Sequence, residues 1–271
     1  MKVDNPSLGR IRVVVCIKQV PGTTEFKINP QTNTLIKEGT ESIVNPLDMY
    51  ALEEGLQLKE QYQGKVAAIT MGLPQAAEAL KEAIALGVDE AILLSDPAFE
   101  GSDTLATSYI LAKAIAKLGQ FNLVICGRQT MDSDTGQVAP QLAEQLRLPF
   151  ASYVSQIEEI REGYMRVQRM VEEGHQVVEM PLPGVISVVK EINVPRLPSL
   201  RGLMKSKQAK IPVWTAQELG IDMSKVGLSG SPTRIIKLFY PQRARGGELL
   251  QGSPESQVNQ LVERLRETKI I

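Results

Sequence analysis

The residues best suited to chemistry cluster in one stretch, Gly127-Arg128-Gln129-Thr130-Met131-Asp132-Ser133-Asp134-Thr135-Gly136-Gln137-Val138. It follows an apolar run at 123–126 that reads as a buried parallel strand. It precedes an amphipathic helical pattern at 138–146. A polar, glycine-containing turn between a strand's carboxyl end and a helix's amino end favours an anion, because free backbone N–H groups and the helix dipole both face it. The N–H groups of Thr135, Gly136, Gln137 and Val138 are placed to hold a phosphate, and Gly127, Arg128 and Gln129 line the same groove. Arg128 could neutralise that phosphate or stand as an ordinary exposed arginine. The turn lacks the three spaced glycines of the dinucleotide fingerprint and the Gly-Lys-Ser/Thr of a P-loop. Its Asp, Thr and Gln side chains must therefore carry recognition that glycine-rich backbone carries elsewhere.

Little else in the chain could react. Its single histidine, His175, stands in the polar segment Glu172-Glu173-Gly174-His175-Gln176, and its two cysteines, Cys16 and Cys126, lie in separate apolar runs. One histidine without clustered cysteines argues against a zinc site and against a His-dependent triad. The thiols read as buried and structural. No residue reads as a general acid, base or nucleophile, and no metal is expected. A net charge of −1 gives no bulk attraction to nucleic acid or anionic lipid, and 4% aromatic content argues against a base-stacking surface. No apolar run reaches the roughly 18 residues that span a bilayer. Residues 1–10 lack the apolar core of a signal peptide, so no membrane insertion and a cytoplasmic location are expected.

The elements that must position the turn follow from periodicity. Short apolar runs at 11–17, 65–70, 90–94 and 123–126 alternate with helical patterns, the signature of a parallel sheet. Helices are expected from Asn45-Pro46-Leu47-Asp48 to about residue 62, from Pro74 to near Gly87, and from Ser102-Asp103-Thr104 to near Gly119. Asn45 is placed as the cap of the first, with Pro46 in its first turn. The intervening loops share the carboxyl edge of the sheet, where such folds bind ligands. After Pro149, runs at 152–160, 164–171 and 175–180 read as antiparallel strands with turns at Glu162-Gly163 and Glu173-Gly174, and 184–189 reads as one more buried strand. Residues 195–207 read as a broken loop followed by a short helix. From Trp214 a tail with little core signal begins, with a strand-like run at 235–240 and a helix at about 253–268. An arm that cannot bury itself packs on another chain.

These residues resemble the beta subunit of electron transfer flavoproteins. The match rests on Cys16-Ile17-Lys18-Gln19-Val20-Pro21, on Asn45-Pro46-Leu47-Asp48 with Ala51-Leu52-Glu53, and on the Gly127 turn. It continues through Val167, Arg169, Glu172 and Gly174 to Pro183-Gly184-Val185-Ile186, and through residues 195–207. Glu173 and Ser187 depart from the family's signature. The resemblance implies an α/β fold with a mainly parallel, doubly wound, Rossmann-like sheet that binds an adenine nucleotide, an antiparallel extension and a C-terminal arm. It divides the chain into a nucleotide- or FAD-binding domain at 1–220, which includes a partner-docking loop near 195–207, and an arm at 221–271 packing on the alpha subunit. It further implies a heterodimer whose alpha subunit carries its own flavin. Ordinary members hold structural AMP in the beta subunit. Electron-bifurcating members hold a second FAD there, which takes a hydride from NADH and sends one electron to the alpha-subunit flavin and one to ferredoxin or flavodoxin. The turn Asp132-Ser133-Asp134-Thr135-Gly136-Gln137-Val138 is similar to the bifurcating pattern, with Ser133 for the usual glycine. So is the tail Gly230-Ser231-Pro232-Thr233-Arg234, followed by Phe239-Tyr240-Pro241 and Gly246-Gly247-Glu248. FAD is therefore the leading expectation and AMP the alternative.

With that resemblance, Asp132 and Asp134 are assigned to ribose hydroxyls or loop closure, since carboxylates repel phosphate but accept hydrogen bonds. A helix N-cap is the competing role for Asp134. The backbone of Cys16, Ile17 and Lys18 could read adenine's edge, though Lys18 could be a plain solvated lysine. Asn45 is a helix cap, an adenine contact, or both. Thr70, Met71 and Gly72 end a strand at the groove. Asp103, Thr104 and Thr107 lie where FAD but not AMP would reach. Leu200 matches the family's anchor leucine, which docks onto acyl-CoA dehydrogenase-type flavoenzymes, and Arg196 and Arg201, with Lys205 and Lys207, add positive charge around it.

Overall fold

The computed structural model describes residues 10–22, 27–28, 35–36, 42–237 and 247–271. The chain divides into two compact units, Met1–Ile236 and Lys237–Ile271.

The first unit runs β1 (Arg12–Cys16), β2 (Gln19–Pro21), β3 (Lys27–Ile28), β4 (Leu35–Ile36), β5 (Ser42–Val44), α1 (Pro46–Gln61), β6 (Lys65–Met71), α2 (Ala77–Leu86), β7 (Glu90–Leu94), α3 (Thr104–Leu118), β8 (Leu123–Gly127) and α4 (Val138–Leu146). It continues through β9 (Phe150–Arg161), β10 (Tyr164–Val171), β11 (Gly174–Pro181), β12 (Gly184–Val188), α5 (Leu200–Gln208), β13 (Val213–Trp214), α6 (Ala216–Leu219) and α7 (Gly227–Gly230). Nine strands form one sheet in the order β11-β10-β9-β12-β8-β1-β6-β7-β13, and short ribbons pair β2 with β5 and β3 with β4. From β9 to β13 every neighbouring pair is parallel; β10 and β11 extend the sheet as antiparallel strands. The expected doubly wound α/β sheet with an antiparallel extension is thus the fold.

Burial explains the composition of the central strands. β8 and β12 are buried along their whole length, so they show no period-two alternation. Their side chains enter two cores. One face packs Val13, Val15, Ile125 and Ile186 against Leu52, Leu56 and Leu80 of α1 and α2. The other packs Val14, Ile69, Val124 and Val185 against Ile110, Ile115 and Leu142 of α3 and α4. Alternate residues of one strand therefore serve opposite layers.

The chain from Trp214 onward is less of a tail than its composition suggests. Val213 and Trp214 pair in parallel with Leu93 and Leu94 at the sheet edge. Ala216, Leu219 and Val226 are buried in the second core. Residues 233–237 form no strand, and 238–246, where the rest of that expected strand and Phe239, Tyr240, Pro241 and Gly246 fall, lie outside the described residues. The second turn of the antiparallel extension falls at Glu172-Glu173, one residue earlier than expected, and Gly174 opens β11.

The second unit contains α8 (Pro254–Glu267), capped by the Ser253 hydroxyl accepting from the Ser256 N–H. Arg264 pairs with Glu248 at 3.1 Å and with Glu267 at 2.9 Å. None of its helical residues is buried, although Val258, Leu261, Val262 and Leu265 recur at helical spacing.

Candidate functional site

The sheet order places a topological switch at β1 and β8. The chain leaves β1 for β6 and β7 on one side, then returns to β8 on the other. A crevice opens outside the carboxyl ends of two strands whose following chains diverge. Here those ends carry Cys16-Ile17-Lys18 and the Gly127 turn, with Cys16 opposite Cys126 in register. Both cysteines are free and buried. Contact with the Cys16 thiol and then burial push the Cys126 thiol up, which keeps it protonated.

The start of α1 ties these two loops together. Asn45 is fully buried. Its N–H donates to the Lys18 carbonyl at 2.8 Å. Its amide nitrogen donates to the Gln129 carbonyl at 2.9 Å, and its amide oxygen accepts from the Met131 N–H at 3.0 Å. It also bonds Asp48. Asn45 holds the N-cap position of α1 with Pro46 following, as expected, but its side chain makes no cap bond and its amide is spent on the turn instead. Asp48, one helical turn on, is buried, and its Oδ2 accepts from the Lys18 N–H at 2.7 Å. A Cβ on Gly127 would lie 2.3 Å from Asp48 Oδ1 and 2.8 Å from the Leu47 carbonyl carbon, so only glycine lets β8 end against α1. The Ile17 N–H donates to Ile69 at 3.0 Å. The N–H groups of Ile17 and Lys18 are therefore not free to read a base. Nor is Lys18 a plain solvated lysine: its ammonium reaches Asp132 at 2.6 Å.

The turn is closed by its own side chains. Asp134, at φ 53°, takes a hydrogen bond from the Gln129 amide, and its N–H donates to the Thr130 carbonyl at 2.8 Å. Thr130 and Ser133 share a 2.8 Å hydrogen bond, and Ser133 donates to Asp132 at 3.2 Å. Partial burial alone would raise the Asp132 carboxyl, but the Lys18 hydrogen bond and charge outweigh it and hold it below the usual range. Asp134 is not the cap of α4. That position is Gln137, which makes no side-chain cap bond. The hydrogen bonds of both aspartates close the loop, one of the two roles, with ribose contact, foreseen for them.

The amino end of α4 is left without a side-chain cap. Gly136 adopts φ 61°, a conformation glycine takes without strain. Among the described residues no acceptor takes the N–H groups of Gly136, Gln137 or Val138. The Thr104 hydroxyl donates to the Gln137 side-chain oxygen at 3.2 Å, so the amino ends of α3 and α4 form one wall. Asp103 caps α3, accepting from Leu105 and Ala106 at 3.0 Å and from the Thr233 N–H at 2.9 Å. Its own N–H donates to Ser231 Oγ at 2.8 Å. Asp103 therefore builds the wall. Thr107 follows inside α3, its N–H bonded to the Asp103 carbonyl. At the end of β6, Thr70 is fully buried and its hydroxyl has no partner among the described residues. Met71 packs partly on the second core, and Gly72 donates to the Leu94 carbonyl at 3.0 Å. The Arg128 guanidinium lies 4.8 Å from the Tyr153 ring, and Tyr153 itself has φ 58° at a bulge facing β12, where its N–H donates to Ser187 Oγ. Unpaired N–H groups at a helix start fit the phosphate end of an adenine nucleotide.

Away from the crevice, residues 194–208 carry apolar side chains into solvent: Val194 is 85% exposed, Leu197 88% and Leu200 84%. Leu200 is the first residue of α5, capped by Ser199, whose hydroxyl accepts from the Gly202 N–H at 3.0 Å. Arg201 is exposed. Arg196 is not part of that outward charge. Its guanidinium turns inward to Glu53 at 2.8 Å and also pairs with Glu60, both on α1. Burial would raise the Glu53 carboxyl, but the hydrogen bonds from Arg196 and Gln57 hold it below its ordinary range.

Fold and crevice define an α/β protein with a doubly wound sheet and a ligand-sized opening at its topological switch point. Residues 32–219 match the electron transfer flavoprotein domain. The chain is 45% identical over 262 residues to the electron transfer flavoprotein subunit beta of Thermoanaerobacterium thermosaccharolyticum, covering 96% of this chain and 100% of that protein. It is 44% identical to the caffeyl-CoA reductase-Etf complex subunit CarD of Acetobacterium woodii, with the same coverage. It is 40% identical to protein FixA of Sinorhizobium fredii, over 93% of this chain and 92% of that one. The chain belongs to the electron transfer flavoprotein family and stands among its beta subunits. Among the described residues no helix is long and apolar enough to cross a membrane.

Three contributors to the site were not singled out from sequence. Asp48 entered that reading as part of a helix opening and of a family-like segment, and Ser231 and Thr233 as part of a family-like tail, Thr233 meeting Asp103 across 130 residues.

Proposed function

We propose that the chain is the FAD-holding beta subunit of a cytoplasmic, heterodimeric, electron-bifurcating electron transfer flavoprotein, with its C-terminal arm packed on the alpha subunit. Bound in the crevice, FAD would supply hydride acceptance from NADH and division of the electron pair between the alpha-subunit FAD and ferredoxin or flavodoxin. The alpha-subunit flavin then serves an acyl-CoA dehydrogenase-type partner docked at Leu200.

This chain's own part is binding and placement. The N–H groups of Gly136, Gln137 and Val138 face the pyrophosphate. Asp132 and Asp134, with Gln129 and Lys18, hold the turn in shape. Thr104 and Thr107 stand along the longer wall toward the rest of the dinucleotide. The observation that supports the reading is the Thr104–Gln137 hydrogen bond, which joins the amino ends of α3 and α4 along one wall of the crevice. The relative named for a caffeyl-CoA reductase complex adds support for a CoA-thioester flavoenzyme as partner.

The test is composition. The protein is purified with its alpha partner and denatured, and released FAD and AMP are counted per heterodimer. Two FAD and no AMP are expected. One FAD and one AMP would make the chain a simple carrier subunit with a structural nucleotide, and the bifurcation reading would fall.

A further inference from the structure

We propose that Asp48 is the positioning residue of the nucleotide crevice: its carboxylate clamps the loop after β1 to the loop after β8, and protonating it opens the clamp. The inference rests on the reading of that crevice as an adenine-nucleotide site.

The geometry is specific. Asp48 sits beneath the crevice floor, 5% exposed, at the start of α1. Its Oδ2 accepts from the Lys18 N–H at 2.7 Å. It also bonds the backbone of Gly127 and the side chain of Asn45. Oδ1 lies so close to Gly127 that no Cβ fits between them. The clamp's partners therefore come from both strand ends that flank the switch point. An ionised carboxylate has acceptor sites for all three donors. A carboxylic acid gives one acceptor site to a hydrogen of its own and loses the charge that strengthens the other bonds. Its hold on the Lys18 and Gly127 N–H groups then weakens, and with it the register of one loop against the other.

The same surroundings set when this happens. Burial raises the Asp48 carboxyl to about 7, with the Asn45 hydrogen bond, the Lys18 N–H and charge, and the Gly127 N–H partly opposing it. The other titratable groups facing it are the Lys18 ammonium, held by Asp132, and the Cys126 thiol of β8 in contact with Cys16 of β1. Burial and the Cys16 contact keep the Cys126 thiol protonated, and the ammonium favours the ionised carboxylate. Protonation of Asp48 therefore falls within the pH range of a living cell.

The test uses the purified heterodimer, unaltered and with Asp48→Asn, which keeps the shape but presents two N–H donors where an acceptor is needed. Loss of bound nucleotide is timed at pH 8 and pH 6. For the unaltered protein, release is expected to be about tenfold faster at pH 6, the scale of one hydrogen bond to a charged group. Asp48→Asn should release rapidly at both pH values and lose the pH dependence. Amide exchange, corrected for its intrinsic pH dependence, is read at Lys18 and Gly127. One of these amides should lose protection in the variant while Val14 and Val124 keep theirs. Equal release at pH 6 and pH 8 from the unaltered protein, or normal retention by Asp48→Asn, overturns the proposal. If Asp48→Asn does not fold, the unaltered protein's pH profile decides. If the unaltered heterodimer holds no adenine nucleotide, the reading of the crevice falls, and exchange at Lys18 and Gly127 decides the clamp by itself.

Discussion

The crevice at β1 and β8 and the loop at 194–208 invert each other. At the crevice floor, Asn45 is buried and matched: it is 0% exposed and every hydrogen-bonding atom of its amide has a partner. In the loop, apolar side chains stand in water, with Leu197 and Leu200 more than four-fifths exposed. Each is the costly choice, since buried polar groups must be satisfied and large apolar groups normally leave water. A small ligand contributes little area, so its pocket has to be rigid before the ligand arrives. A protein partner brings its own apolar surface, so a protruding leucine can wait for it. The two regions thus spend stability in different places, and substitutions should separate them.

The sharpest break is Gly127→Ala. Its methyl would meet Asp48 Oδ1, on a carboxylate held by the Lys18 N–H, and the Leu47 backbone. Overpacking at such a site costs about 1–3 kcal/mol. For a chain of this size the melting temperature falls by about 2–4 °C per kcal/mol. Nucleotide content should fall with it, because the displaced group is the clamp between the two loops. A variant that melts normally and keeps its nucleotide would show that the close approach of β8 to α1 is not needed.

Arg196→Ala probes the one place where the loop behaves like the crevice. The guanidinium is partly exposed, but Glu53 beneath it is buried. Removing Arg196 leaves that carboxylate without its main partner, at a cost of roughly 2 kcal/mol at neutral pH. The sign of the pH dependence is fixed. Glu53 is held below its ordinary 4.5 in the folded state, so its pairing stabilises above that value and is lost as pH falls through the folded one. The stability gap between the two proteins, measured by denaturant melts, should close below about pH 4. A gap that stays constant to pH 3 would mean the arginine acts by packing alone. Nucleotide content should not change, which separates this position from Gly127.

The same contrast shows what the sequence could tell. The strand at Glu90–Leu94 and the helix at Val138–Leu146 were legible to the residue, because apolar periodicity is strong there. So was the Gly127 turn as a polar connection, since Gly, Asp, Thr and Gln crowd between a buried strand and an amphipathic helix. Partnership was not legible. Asp48 at the first turn of a helix looks like a carboxylate favoured by the dipole, and only the folded chain shows Lys18 and Gly127 above it. Arg196 shows its charge in sequence but not the two glutamates that consume it. Val213 and Trp214 are too few to show any period, yet they complete the sheet. Ser231 and Thr233 reach α3 from far along the chain, a contact no local pattern encodes.

Leu200→Ala should have the smallest effect on the molecule and a selective one on its use. Leu200 is 84% exposed at the first position of α5, and Ser199 still caps the helix when its side chain is cut back. Truncating an exposed side chain away from any buried network changes stability by less than about 0.5 kcal/mol. Melting temperature and nucleotide content should therefore match the unaltered protein. If Leu200 fills a pocket on a partner flavoenzyme, its loss weakens docking by about 1–2 kcal/mol, or roughly tenfold in the concentration of partner needed. Electron delivery measured against partner concentration would show this as a raised half-saturation with the same maximal rate. A lowered maximal rate with unchanged half-saturation would move the effect from docking to the transfer itself. An effect on nucleotide content would erase the separation between the two regions, because the loop would then be part of the crevice.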